Sequence, residues 1–465
     1  KNHVFLKVLL ILIISYLAIF IIFLFTISNK FEVKMIIKSM DMFQTIVRPI
    51  DRRKPFFRKP DELKKIDCAR FFNNDTSHED IYSETKITYK DAESLSSDCK
   101  EIKTRNYFPE KPLSDAEADF PIAFARVVYM DYLFLEMELA ATYAPQNIYC
   151  YVIDMKSDKI FRQRIHALAE CFPNVFYTKM EFNVTSDGKN MGFAHYECLK
   201  RLMNFDWKYV VLLQNHDFAL KTNAELVQIL TWMNGTNDVE ILMPMWERID
   251  TNQSWTFKDL NLFQKKERNL VGFNGMEPKL DFAKGNVQCS LSRAMVDFMI
   301  FELNLTMSLT LVDNGLYGID EILIPTLMAT DALNVPGGFT HYCVDKGIDV
   351  GHMTRISHWK HHAHCHSDVF RHHICIFGVQ DLKYLTNIPF LFGNKMMPEI
   401  DFASSVCWKE FLFNKTYIQP TANPADELDQ NVYLNLPIVR YNKERYDPNF
   451  NISNFEYCAI QITKR

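Results

Sequence analysis

The alternation of hydrophobic and polar positions divides the chain into three stretches. Val8 to Ile27 (VLLILIISYLAIFIIFLFTI) runs for twenty residues without a charge. At about 1.5 Å per residue it covers roughly 30 Å, the thickness of a bilayer's hydrocarbon core. It passes into FTISNKFEVK with no small-residue A-x-A site. A transmembrane signal-anchor over 8–27 is therefore expected rather than a cleaved signal peptide, with residues 1–7 as cytoplasmic tail. Lys1 and Lys7 precede the span and Lys30 and Lys34 follow it, so flanking charge orients it only weakly. Residues 28–118 show little periodicity: the charged RRKPFFRKPDELKK gives way to the polar DAESLSSDCKEI. That composition predicts a partly ordered lumenal stem holding the next region away from the bilayer.

From Pro121 strand and helix patterns alternate. PIAFARVVY is a β run, DYLFLEMELAATYA an amphipathic helix, and NIYCYVID a second strand closing on Asp154. SDKIFRQRIHALAECF, NVFYT and GFAHYECLKRLMNF continue as helix, strand and helix, and WKYVVLLQNHDF reads as one fourth strand. Successive units of this length imply an α/β domain with a mostly parallel sheet and right-handed crossovers over 119–465, with a C-terminal extension from about 411.

Composition then narrows the function. Hydrophobic residues make up 48% and charged residues 23%, and 52 Lys+Arg against 57 Asp+Glu leave a formal charge of -5. The chain is too apolar for disorder and has no basic surplus with which to bind nucleic acid. Seven N-x-[ST] sequons begin at Asn74, Asn183, Asn234, Asn252, Asn304, Asn414 and Asn451, and they lie beyond Ile27 together with all eleven cysteines. The cysteines are dispersed with no CxxC pair, which argues against zinc-ribbon and thioredoxin sites. Lumenal disulfides with at least one thiol left over are expected instead.

Parallel α/β sheets bind ligands beyond the carboxyl ends of their strands, which singles out Asp154 and Asp217. Each also reads as a helix cap, before SDKIFRQRI and before the helix from Asn223 respectively. Neither strand is followed by the Gly-rich loop that a dinucleotide or P-loop site needs. Further on, Asp320 precedes the apolar ILIPTLM and reads as the cap of a helix with Glu321 in its first turn. Pro325 sits early enough in that helix to be tolerated.

Several segments together resemble the core-2/I-branching β-1,6-N-acetylglucosaminyltransferases, a family that also includes the peptide O-xylosyltransferases. These are TYAPQNIYCYVIDMKSD, ECFPNVFYTK, WKYVVLLQNHDFALKT, IDEILIPTLM, NVPGG and ICIFGVQDLKYL, in order over roughly 119–410. The resemblance implies a GT-A-like, Rossmann-like domain behind the anchor, facing the Golgi lumen as a single-pass type II membrane protein. It implies inverting transfer from a UDP-sugar without a divalent metal. N-acetylglucosamine would pass from UDP-GlcNAc to an O-glycan acceptor in β-linkage, of β-1,6 branching type. Arg371 and Lys395 match the family's cations that take the charge of the leaving diphosphate, a task a metal otherwise performs. His372 or His373 could share it. Glu321 matches the general base that accepts the proton of the attacking hydroxyl. Val128, Asp154 and Asp217 fall where the family binds the nucleotide, with Tyr129 standing where a histidine is usual. Trp246, Glu247, Arg248, Asp320 and Trp359 fall on the acceptor side. The family pattern pairs Cys68 with Cys407, Cys99 with Cys171, Cys150 with Cys198 and Cys365 with Cys375, leaving Cys289, Cys343 and Cys458 as one further pair or as free thiols.

The expected partners are thus a UDP-sugar, a glycan or glycoprotein acceptor and a membrane, with no nucleic acid and no cofactor; a homodimer stays open. Seven histidines between His358 and His373 (the others being His361, His362, His364, His366 and His372) could form a basic rim or bind zinc. Two alternatives remain at this point. One is xylosyl transfer to a peptide serine. The other is a catalytically silent lectin-like membrane protein, suggested by the departures at Tyr129, Pro325 and Cys289.

Overall fold

The computed structural model describes residues 54–73, 76–270, 277–314, 316–360 and 364–458. The expected tail, the signal-anchor over 8–27, the first part of the stem, Asn74, His361 and His362 lie outside the described residues. Among the described residues no helix is long and apolar enough to cross a membrane. Pro55 onward forms one compact unit.

The unit is built on β1 (Ile122–Val128), β2 (Ile148–Ile153), β3 (Val175–Tyr177) and β4 (Tyr209–Gln214), which pair in parallel. After the short β5 (Asp217–Ala219), β6 (Ser290–Ser292) adds antiparallel to β4, so the order is β3-β2-β1-β4-β6. Every residue of β1 and β2 is buried, which is why these strands read as apolar runs without alternation. Crossover helices Tyr132–Thr142, Lys159–Cys171 and Met191–Leu202 link them. The chain leaves β1 outward to β2 and β3, then returns across to β4. Its direction reverses between β1 and β4, which end at Val128 and Gln214, the switch point beyond which such sheets bind ligands.

The expected fourth strand is two. β4 stops at Gln214, and β5 leaves the main sheet to pair antiparallel with β10 (Phe392–Asn394), which pairs in parallel with β7 (Arg355–Ile356). The break is held by partners distant in sequence. Asn215 Oδ1 accepts from the backbone N–H of Tyr129 at 2.8 Å and of Met130 at 3.2 Å, and His216 Nε2 lies 2.6 Å from Asp131 Oδ2. Between β7 and β10, β8 (Phe370–Arg371) and β9 (Ile374–Cys375) form a hairpin. His372 and His373, at φ 52° and 63°, are its two turn residues, a conformation suited to a tight hairpin.

Two helix caps differ from expectation. Asp158, not Asp154, accepts from Phe161 N at the start of its helix, and Thr222 with Glu225 forms a capping box on Asn223–Met233, so Asp217 caps nothing there.

Residues 55–118 are part of the compact unit rather than a spacer. Leu63, Phe71 and Ile102 are fully buried. The Asp91 carboxylate accepts from the N–H groups of Tyr132 and Leu133 at 2.5 and 3.2 Å, satisfying the first turn of a helix that no local side chain caps. Arg105 meets the buried Glu136 through two bonds, 2.8 and 2.7 Å, and Asn106 adds a third at 2.7 Å. The four disulfides implied by the resemblance are formed, two of them, Cys68–Cys407 and Cys99–Cys171, tying this stretch to the rest. Cys343 pairs with Cys458, and Cys289 is buried and unpaired. Helix Phe402–Phe413 runs through the expected start of the C-terminal extension, and the chain beyond buries Tyr433 and Ile438.

Candidate active site

Glu321 lies in a single 3-10 turn, Ile319–Glu321, ahead of helix Leu323–Ala329. Pro325 is in that helix's first turn, where its missing N–H would have had no intrahelical partner. Asp320 does not cap the helix, contrary to expectation. Its carboxyl instead packs on the loop at Gly188, where an added Cβ would stand 2.1 Å from Oδ1. Burial, and then the neighbouring Glu321 charge, push Asp320 up to about 7. Glu321 turns the other way. Its Oε2 accepts from Arg248 Nη1 at 2.7 Å and lies 3.9 Å from Lys284 Nζ. The backbone of this turn is fixed by Gly285 N–H, which donates to the Glu321 carbonyl at 2.9 Å. A side chain at Gly285 would strike the Glu240 carbonyl. Arg248 belongs to the turn Trp246–Arg248, whose Trp246 and Glu247 side chains face solvent.

The expected diphosphate cations lie near each other past the end of β1, where Tyr129 feels the charge of Arg371 and Lys395 feels it too. Arg371 is on β8, where Nη1 lies 3.4 Å from Glu399 Oε1. Lys395 directly follows β10. Burial and the charges of Arg371 and Arg355 bring it down to about 8. Asp217, expected to contact the donor, is wholly buried. Oδ2 accepts from Gln214 N at 2.5 Å and Oδ1 from Asn394 Nδ2 at 2.8 Å, so it pins β5 to β10 and supports the residue before Lys395. Val128 is also fully buried, and its carbonyl accepts from Asp154 N at 2.9 Å. Asp154 Oδ1 accepts from Lys156 N at 2.9 Å, closing its own turn. Tyr129 bridges the two groups. It is 36% exposed at the end of β1, its hydroxyl is pushed up chiefly by burial, and it feels the charges of Arg371, Asp131, Glu399 and Asp154. Trp359 joins this side rather than Glu321: it bridges to Ile374, the partner of Arg371 in the hairpin.

One residue that links both sides was not visible as a candidate in the sequence. Arg355, on β7, is 8% exposed. Its Nη2 donates to Asn286 Oδ1 at 2.8 Å, and Asn286 Nδ2 donates to Glu240 Oε2 at 2.9 Å. Burial lowers its proton affinity, while Asp217, Glu240, Glu321 and Asp320 all attract its charge. Because Arg355 also depresses Lys395, the field of the acid pair and that of the cation pair overlap here. A lone arginine in RISHW carries no sequence signal of this.

Among the described histidines, His358, His364 and His366 gather around the Tyr384 ring. His372 and His373 are exposed at the hairpin tip, His364 stacks on Tyr384, and His366 pairs with Asp381 at 3.3 Å. Among the described residues no three His, Cys, Asp or Glu side chains converge as a metal site.

A family model described as "Core-2/I-Branching enzyme" matches residues 122–386, more than half of the chain. The chain belongs to this family. As a member it is a glycosyltransferase. It is 30% identical over 336 residues to a human protein named β-1,3-galactosyl-O-glycosyl-glycoprotein β-1,6-N-acetylglucosaminyltransferase 3, covering 69% of this chain and 74% of the relative. The rat protein of that name is 28% identical over 350 residues, covering 71% and 76%. The β-1,3-galactosyl-O-glycosyl-glycoprotein β-1,6-N-acetylglucosaminyltransferase of bovine herpesvirus 4 (strain LVR140) is 30% identical over 338 residues, covering 69% and 74%. The matched span holds Val128, Glu321 and Arg371 but stops before Lys395.

Proposed function

We propose that this glycosyltransferase moves N-acetylglucosamine from UDP-N-acetylglucosamine to a β-1,3-galactosyl O-glycan on a glycoprotein, in a β-1,6 linkage and with inversion. The observation that carries the reading is a carboxylate pair and a cation pair that share the buried Arg355: Asp320 and Glu321 attract its charge, and together with Arg371 it lowers Lys395. An inverting transfer needs that division. The acceptor oxygen attacks the anomeric carbon, its proton passes to Glu321, and the bond from that carbon to the UDP oxygen breaks on the opposite face. The second negative charge on the departing diphosphate falls to Arg371 and Lys395, already in place before the reaction. Arg371 offers a planar fork and Lys395 a point charge. The role of a divalent metal is thus filled by side chains, and the donor's uracil and ribose lie along Tyr129 and Asp154.

Arg248 holds Glu321 through Oε2, which leaves Oε1 as the oxygen to take the acceptor's proton. The site works in the Golgi lumen behind the signal-anchor expected over 8–27. The names of the relatives support the donor and the acceptor, and the expectation of xylosyl transfer to serine has no such support.

The test is UDP release by the full chain from a panel of UDP-sugars, with and without EDTA, in the presence of a β-1,3-galactosyl disaccharide. UDP-N-acetylglucosamine is expected to be the preferred donor and EDTA to leave the rate unchanged. Preference for UDP-xylose would overturn the donor assignment. Loss of turnover in EDTA, restored by manganese, would overturn the cation roles.

A further inference from the structure

Four large apolar side chains stand in solvent on two segments that meet at Glu321. Met243 is 45% and Trp246 57% exposed, and Leu316 and Tyr317 are 41% and 62% exposed. The neighbouring apolar residues Ile249, Ile319 and Ile322 are buried, so these segments do pack their apolar side chains where the core can take them. Arg248 joins the two segments. Its guanidinium lies 5.7 Å from the Tyr317 ring centroid, bonds Glu321 Oε2 at 2.7 Å and approaches the Gly318 carbonyl at 3.4 Å, and its own carbonyl accepts from Asn314 Nδ2 at 3.4 Å. Trp246 is further fixed by edge contact with Phe282 at 6.2 Å.

Large apolar side chains exposed on segments joined by a charged pair mark a surface that a ligand covers. One sugar ring, with polar edges and one apolar face, suits a single aromatic side chain together with Arg248. Met243, three residues before Trp246, and Leu316, next to Tyr317, add more exposed apolar surface than one ring covers, and on a glycoprotein acceptor what lies beyond the glycan is polypeptide. We infer that Met243, Trp246, Leu316 and Tyr317 form a subsite for the aglycone of the acceptor, and that a glycan on an apolar stem is preferred over the same glycan free. The inference rests on Glu321 being the base of the transfer proposed above, because that fixes where the reacting sugar sits.

The test compares KM for a β-1,3-galactosyl disaccharide free, as its benzyl glycoside, on an apolar peptide and on an acidic peptide, using the full chain and UDP-N-acetylglucosamine. For the parent, the benzyl and apolar-peptide forms are expected to have KM values lower by about tenfold, the effect of burying one apolar side chain's worth of surface. The double variant Met243→Ser, Leu316→Ser should bring the four KM values together, with kcat on the free disaccharide and affinity for UDP within about twofold of the parent. Preference for the benzyl form without preference for the apolar peptide would place a small aryl group there and overturn the subsite as one for the peptide stem of a glycoprotein acceptor. Equal KM values in the parent, or a preference that survives in the double variant, would overturn the subsite while leaving the transfer reading intact. A parent that releases no UDP with any donor and acceptor overturns the transfer reading, and the subsite with it.

Discussion

Replacing Lys395 with methionine should move stability and ligand binding in opposite directions. In the ligand-free protein Lys395 is held down to about 8 by burial and by Arg371 and Arg355, against about 10.4 for a lysine in an unfolded chain. The folded value lies below the unfolded one, so the ammonium opposes folding. That cost is complete below pH 8 and fades as the pH rises from 8 toward 10. A tenfold difference in proton affinity is worth about 1.4 kcal/mol, and the side chain keeps some of its solvation. Lys395→Met should therefore stabilise the ligand-free protein by about 2 kcal/mol at pH 7. For UDP the sign reverses: removing a charge-assisted contact should weaken binding by about 10- to 100-fold. A diphosphate holds its lysine protonated, so UDP affinity of the parent should fall about tenfold between pH 7 and pH 9, with proton uptake on binding. In Lys395→Met the affinity should be flat over that range. Calorimetry in two buffers of different ionisation enthalpy, with thermal melts of the free proteins, reads all of these quantities. Parent affinity for UDP that does not change between pH 7 and 9, or that falls equally in the variant, would refute the placement of Lys395 at the diphosphate.

Three further outcomes follow from the packing. Arg105→Gln should destabilise the fold by about 3 kcal/mol in urea titrations, because it leaves the buried Glu136 carboxylate without the cation that offsets its charge, whereas a true stem residue would be neutral. Gly188→Ala should shift the Asp320 carboxyl and lower kcat by about tenfold with UDP affinity unchanged, since the new methyl would stand against Oδ1 and the position has φ +98°; unchanged kinetics would show that this loop does not seat the acid pair. Peptide mapping without reduction should recover Cys343 joined to Cys458 and Cys289 as the only alkylatable cysteine, and then only after unfolding.

The main sheet was legible because β1 and β2 are buried on both faces and announce themselves as apolar runs. The limit of the fourth strand was not, because its end is set by Asn215 and His216 reaching the residues after β1, contacts separated by some 85 positions. The stretch before residue 119 misled for a related reason. Asp91 and Arg105 are polar residues in a polar segment, and only the fold shows that they serve the helix at Tyr132 and the carboxylate of Glu136. Glu321, Arg371 and Lys395 became candidates through resemblance alone, while Asp217 and Asp158 show that a strand-end aspartate and a cap four residues on from Asp154 are not separable by spacing. Arg355 and Lys284 have no motif at all. Their importance lies in which charges surround them, and that is a property of tertiary structure.

The central claim is that Glu321 takes the acceptor's proton. The most direct measurement is sugar transfer by the full chain to a β-1,3-galactosyl disaccharide, followed by mass spectrometry for the parent, Glu321→Gln and Asp320→Asn, with UDP binding measured on each. Glu321→Gln is nearly isosteric and should bind UDP as the parent does while kcat falls by about 10²–10⁴-fold. Asp320→Asn, whose carboxyl faces the Gly188 loop rather than Arg248, should lose less. Transfer by Glu321→Gln at the parent rate would contradict the account and leave this carboxylate as the ion-pair partner of Arg248 alone.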